Sequence, residues 1–222
     1  MAKKGRTLKH LEAGMKTNAT IWRGFWMLLL TGLLGGCTTM PKTALFVDAM
    51  AWPPEAHSVA LVGVSFDESY RPLPQSGLDR ELLIQVRQAL QAKGYLVAEP
   101  PSLPRLERRA LSVVPAEELV ARTTAPADLV VAVHVDFLFS SATYSETNPP
   151  PQFEIAAEAR VVDGKLARDL WRDRAHVLEG GASAMPMRNP DYDRMRGLSE
   201  LAKDLFITLP DAGMRPVALS VE

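Results

Sequence analysis

The sequence predicts an α/β (α+β) fold: a single mixed sheet with helices mainly on one face, in the order β-α-β-α-β-β-β-α. Three observations lead there. Two near-continuous apolar runs, 58–66 and 128–139, read as buried strands. Two stripes of apolar residues at helical spacing, Leu78 to Leu90 and Met195 to Leu209, read as amphipathic helices. Between them, 153–162 alternates apolar and polar residues and then meets Asp163-Gly164, a hairpin turn signal. One sheet covered by helices is the packing that buries all of these faces together.

Taken in order, Ser58 to Phe66 is the first strand. Ser76-Gly77-Leu78-Asp79 predicts a helix start, with Ser76 as N-cap and Asp79 reaching back. Leu78, Leu82, Val86, Ala89 and Leu90 form its stripe, and Gly94 is placed to end it. Tyr95 to Ala98 is a second strand. The segment 99–114 opens with Pro100, Pro101 and Pro104 and clusters Arg105, Arg108 and Arg109 around Leu106. It reads as a surface loop with one helical turn; a basic anion-binding patch is the alternative. Pro115 suits the first position of a short helix ending at Arg122.

In the strand 128–139, alternation puts Val131, Val133, Val135, Phe137 and Phe139 on one face. Ala132, His134 and Asp136 share the other. In the next strand Phe153, Ile155, Ala157, Ala159 and Val161 oppose Glu154, Glu158 and Arg160. The turn then sets the register. A three-residue loop with Gly164 in the left-handed conformation pairs Val161 with Lys165, Ile155 with Trp171, Glu158 with Arg168 and Glu154 with Arg172. A two-residue loop sets Glu158 against Asp169, a like-charge pair, so the first register is preferred. Gly180 to Asn189 reads as a loop, Pro210 stops the last helix, and the tail 211–222 is expected to be loose. No internal repeat is visible.

Composition narrows the function classes. Of 222 residues, 47% are hydrophobic and 23% charged, ordinary for a globular chain. The net charge of −1 hides an asymmetry: residues 1–36 hold six Lys or Arg and one acid, Glu12, leaving the rest with 19 basic and 25 acidic residues. A net-acidic domain argues against nucleic acid, because phosphate binding needs clustered Lys and Arg. The single cysteine excludes an internal disulfide, so the fold must rest on its core.

The basic residues at the front precede Gly24 to Gly36, thirteen mostly apolar residues that end at Cys37. As a helix they rise about 20 Å, short of a ~30 Å hydrocarbon core, which suits a signal peptide better than a permanent span. The end, Leu34-Gly35-Gly36-Cys37, resembles the bacterial lipobox, in which two small residues precede the cysteine that receives diacylglycerol. The resemblance implies cleavage between Gly36 and Cys37 and a lipid anchor on Cys37. A plain secretory signal with a chance cysteine and a membrane-anchored helix are the alternatives. Thr38 follows where an acidic residue commonly retains such proteins in the inner membrane, so the resemblance implies the periplasmic face of the outer membrane. Met15 opens a signal of more compact proportions than Met1, and either is a candidate start.

The implied organisation is a signal peptide at 1–36, the lipidated cysteine and a flexible tether at 37–55, an α/β periplasmic domain at 56–210, and the tail. Within the tether, Ala44 to Val47 is a short apolar piece able to dock on the domain. The runs 59–66, 90–97 and 127–136 and the hairpin from Asp163 to Trp171, inside a lipobox-led chain, resemble the small α/β domain of periplasmic assembly proteins. These include the TolB amino-terminal domain, the curli secretion-channel lipoprotein and the lipoprotein activators of peptidoglycan synthases. Nothing matches the long amphipathic hairpins a secretion pore needs.

Signals for chemistry are sparse. Ser183 in Gly181-Ala182-Ser183-Ala184-Met185 lacks the spacing of a nucleophile elbow. His57, His134 and His176 lie far apart without paired metal-ligand spacing. A metal set of His134, Asp136 and His176 is weighed against a solvated sheet face with Asp136 beside an arginine. Met185 and Met187 are candidate copper(I) thioethers, against ordinary packing. No cofactor and no catalytic residue is expected. The expected reading is therefore a non-enzymatic envelope scaffold or accessory lipoprotein with a protein partner. A periplasmic binding module for a small ligand, lipid or metal is the alternative. The candidate interaction face is the polar side of the sheet: His134, Asp136, Glu154, Glu158, Arg168 and Arg172, with Ile155 and Trp171 packed inward.

Overall fold

The computed structural model describes residues 42–70, 77–98, 110–140, 152–180 and 190–216. They form one six-stranded sheet with the order β1-β6-β5-β4-β2-β3. The strands are β1 (Phe46–Val47), β2 (Ser58–Phe66), β3 (Leu96–Ala98), β4 (Leu129–Ser140), β5 (Gln152–Asp163) and β6 (Asp169–Gly180). The helices are α1 (Leu78–Ala92), α2 (Ala116–Ala121) and α3 (Pro190–Phe206). β2 runs parallel to β3 and β4, while β4, β5, β6 and β1 are mutually antiparallel. The α+β class and the mixed sheet are therefore as the sequence predicts.

The core lies between one face of the sheet and helices α1 and α3. Val59, Leu61, Val131, Val133, Val135, Ile155, Ala157, Val161 and Trp171 meet Leu82, Val86 and Leu90 of α1 and Leu198, Leu201 and Leu205 of α3. Arg194 of α3 reaches Glu81 of α1 at 3.1 Å, holding the two helices side by side. The expected α1 stripe is buried, but Met195 of the α3 stripe is exposed. The helix start also differs. Gly77 is the N-cap, with a left-handed φ of 67°, and no side chain caps the helix; the expected cap, Ser76, lies outside the described residues. At the other end Gly94 adopts φ 86° and the Tyr95 N–H reaches back to the Leu90 carbonyl, the helix stop that the glycine predicts.

A second, smaller core sits on the opposite face of the sheet. Leu111 and Val114, flanking a single 3-10 turn (Leu111–Val113), join Ala116 and Leu119 of α2 over Val130, Ala132 and Val162. This explains why β2 and the start of β4 are apolar on both sides: both faces are covered. Residues 105, 108 and 109 lie outside the described residues.

Two boundaries move outward. The segment expected to be a free tether is packed from about residue 42. β1 pairs with β6, Phe46 opposite Arg172 and Val47 opposite Trp171, and Trp52 is 2% exposed in the main core. The start of the expected loose tail is also held: the Ala212 N–H donates to the Lys93 carbonyl and the Gly213 N–H to the Ala56 carbonyl, each at 2.9 Å. Backbone pairing and one large buried indole hold these ends where composition alone shows no periodicity.

Candidate interaction face

The β5–β6 hairpin decides which charges meet, and its register differs from the expected one by six residues. Val161 pairs with Trp171, Glu158 with Arg174 and Glu154 with Leu178, while Arg160 faces Arg172. The turn spans Gly164 to Arg168. The Asp163 carboxylate accepts from the Lys165 and Leu166 N–H groups at 2.7 and 2.8 Å, and the Asp163 N–H donates to the Arg168 carbonyl. The left-handed residue is Ala167, φ 48°, and not Gly164. Glycine is required at 164 for another reason: a Cβ there would sit 2.0 Å from the Ala127 carbonyl oxygen. A shift of six preserves strand parity, so Ile155 and Trp171 still face the core, both fully buried.

A second departure is a bulge in β4. The pairing slips between Val135 and Phe137, leaving Asp136 unpaired in the ladder. One extra residue reverses the alternation beyond it. Phe137 therefore pairs with Ala156 on the polar face, and Leu138 turns to the core in the position expected of Phe137. The ring of Tyr70 packs on Phe137 with centroids 5.0 Å apart and planes at 60°.

Three rows of side chains then cross β4, β5 and β6 on the face opposite α1 and α3. The first is His134, Glu158 and Arg174; the second Phe137, Ala156 and His176; the third Phe139, Glu154 and Leu178. Two diagonal contacts tie the rows together: the Arg174–Asp136 ion pair at 2.5 Å and the His176 Nε2–Glu154 hydrogen bond at 2.7 Å. Between them lies an open cleft of about 540 Å³ lined by Phe137, Glu154, Ala156, Arg174, Ala175 and His176. Phe139 and Leu178 at its end are 46% and 57% exposed. The arrangement offers an aromatic wall, a small alanine floor and both signs of charge, which suits a partner that brings mixed polar and apolar groups.

The other half of this face is covered. Arg160, 5% exposed, donates from Nε to Asp169 at 2.5 Å and from its terminal nitrogen to the Val114 carbonyl, fixing the 110–121 segment over the sheet. The cover ends at Ser65 and His134. The Leu111 N–H donates to Ser65 Oγ at 3.0 Å, and that hydroxyl lies 2.9 Å from His134 Nδ1. The Val133 carbonyl, 3.5 Å from Ser65 Oγ, is a second acceptor for the hydroxyl proton, so the 2.9 Å contact accommodates either tautomer of His134. Burial lowers the His134 pKa below its usual value, against the opposing pull of Asp136, Asp67 and Glu158. Ser65 is fully buried, so its oxygen is shielded from any substrate.

The expected residues therefore divide. Glu154 lines the cleft, Asp136 is paired with its Arg174, and Glu158 lies opposite Arg174 in the ladder. His134 shares their face but is only 8% exposed, which leaves it little surface to offer. Arg172 is on that face but at the covered end, bonded to Asp169 at 2.8 Å. Arg168 is off the strand, exposed in the turn. The proposed metal set does not assemble: His134 meets Ser65, Asp136 meets Arg174 and His176 meets Glu154. Among the described residues no three His, Cys, Asp or Glu side chains form a metal-holding group. Ser183, Met185 and Met187 lie outside the described residues. Arg174 and Tyr70 were not named, His176 was named only as a metal candidate, and Phe137 was assigned to the other face. The signal for Arg174 and His176 is the alternation of Trp171, Ala175 and Val177 with Arg172, Arg174 and His176, which starts after Lys165 and is interrupted by Asp173.

No protein-family model and no curated protein matches the chain. Solved structures with a similar arrangement include bacterial lipoproteins. Lipoprotein GNA1162 from Neisseria meningitidis is 19% identical, with 59% of this chain and 88% of that one covered and a TM-score of 0.42. A minor lipoprotein from Acinetobacter baumannii is 8% identical over 71% of this chain and 98% of that one, with a TM-score of 0.37. The LpoB C-terminal domain from Salmonella enterica is 10% identical over 56% and 84%, also with a TM-score of 0.37. Among the described residues no helix is long and apolar enough to cross a membrane.

Proposed function

We propose that the chain is an exported lipoprotein, anchored through Cys37 on the periplasmic face of the outer membrane, that acts without catalysis as an envelope assembly or accessory protein. Its anchoring rests on the order of basic residues, apolar run and Leu34-Gly35-Gly36-Cys37. Two or more acyl chains hold a protein stably on a bilayer, where one does not. Its contact with a partner rests on one observation: the sheet face beyond His134 has no covering helix among the described residues, and presents Phe137 between the Arg174–Asp136 and His176–Glu154 pairs. Interfaces combine aromatic anchors with a polar rim in this way.

The test is recovery of partners from detergent-solubilised membranes by the full chain and by a double variant, Arg174→Ser with His176→Ser. Both side chains are more than half exposed, so the variant should stay within about 0.5 kcal/mol of the parent stability. The reading expects a stoichiometric protein partner that the variant no longer recovers. Undiminished recovery, or a co-purified small molecule in place of a protein, would overturn it.

A further inference from the structure

The edge strand nearest Cys37 in sequence is apolar and exposed. Leu45, Phe46 and Val47 of the β1 segment are 66%, 42% and 38% exposed, and Met50, in the turn that follows, is 94% exposed. This segment is held rigidly. The Asp48 N–H donates to the Leu170 carbonyl at 2.8 Å, the Asp48 carboxylate accepts from the Ala51 N–H at 3.0 Å, and Trp52 is buried behind them. Its start is fixed as well. Lys42 Nζ lies 3.1 Å from the buried Asp173 carboxylate and donates to the Asp204 carbonyl at 2.6 Å. Asp173 in turn accepts from the Thr208 hydroxyl at 2.7 Å.

We propose that this edge, Leu45 to Met50, rests in the headgroup–acyl boundary of the bilayer that carries the anchor, so that the sheet stands with β1 toward the lipid. The proposal rests on the lipidation of Cys37 argued above. Only four residues separate Cys37 from Lys42, at most about 18 Å of extended chain. That leash holds Lys42, four residues before β1, within reach of the bilayer surface. Arg168, exposed in the turn two residues before the Leu170 carbonyl that Asp48 binds, offers a cation to anionic headgroups on the same side. A second copy of the chain fits this edge less well. β1 is two residues long, too short to template an intermolecular strand pair, which is how edge strands avoid one another. The opposite edge, β3, lies five strand spacings away, about 24 Å, and exposes Leu96 at 73%.

Spin-label depth measurement tests this on the full, processed protein in vesicles of phosphatidylethanolamine and phosphatidylglycerol. Cys37 is the only native cysteine, so Met50→Cys, Leu45→Cys or Leu96→Cys supplies a single free thiol when Cys37 carries lipid. Intact mass of each sample reads the lipidation separately. The expected result is a several-fold higher ratio of oxygen to nickel-chelate collisions at positions 50 and 45 than at 96. Equal, water-like accessibility at all three positions in lipidated protein overturns the proposal and leaves the anchor standing. Dipolar broadening between labels at 45 or 50 overturns it in favour of a second copy. An unlipidated mass overturns the anchor and the proposal together.

Discussion

His134 occupies the point where the covered half of the polar face gives way to the open half. Its Nδ1 lies 2.9 Å from the Ser65 hydroxyl, and Ser65 accepts the Leu111 N–H that begins the cover. Burial lowers the His134 folded-state pKa from the usual 6.5, only partly offset by Asp136, Asp67 and Glu158. The folded state therefore binds this proton less readily than the unfolded state. The contribution to stability is complete above pH 6.5 and is lost as pH falls from there toward the folded pKa. Denaturant melts between pH 7.5 and 5 should show a falling midpoint that flattens in His134→Asn, whose side-chain oxygen can still accept from Ser65. An identical slope in both proteins would remove His134 from the account. The histidine stands out in the sequence as the polar member of an apolar strand, but its partner Ser65 sits on another strand 69 positions away, a pairing no local pattern encodes.

At the level of the element, the long apolar strands and the α1 stripe were legible because their periodicity extends over nine or more residues, and Gly94 was legible as a stop. The interaction face was legible as a face but not in its pairings. Charge matching could not choose the register, since the observed one also sets Glu158 against a cation, Arg174. A five-residue turn with alanine in the left-handed conformation has no sequence signature, and the bulge at Asp136 has none either. The turn makes a paired prediction. Gly164→Ala drives a Cβ into the Ala127 carbonyl and should cost about 1–3 kcal/mol, the usual range for overpacking. Ala167→Gly relieves the left-handed backbone and should gain up to about 1 kcal/mol. Chemical denaturation measures both; a stable Gly164→Ala would show that the hairpin turns elsewhere.

For the molecule as a whole, the packed domain begins nearer in sequence to Cys37 than a tether over 37–55 implies. The sequence shows β1 only as an apolar piece able to dock, not as a strand, because two residues carry no alternation, yet with Trp52 it closes the β6 edge of the core. Residues 38–222 should unfold cooperatively, whereas residues 56–222 should lose at least about 3 kcal/mol, the scale of removing a buried tryptophan. Equal denaturation midpoints would make residues 42–55 a mere linker. The rigid β1 edge, the short leash and the open face all take their meaning from Cys37. Metabolic labelling with a fatty acid, followed by intact mass of the full chain and of Cys37→Ala, tests that residue directly. The account predicts label and a mature mass beginning at a diacylglyceryl Cys37 in the parent, with no label and uncut precursor in the variant. Labelled, normally processed Cys37→Ala, or a parent cut elsewhere without lipid, would contradict it.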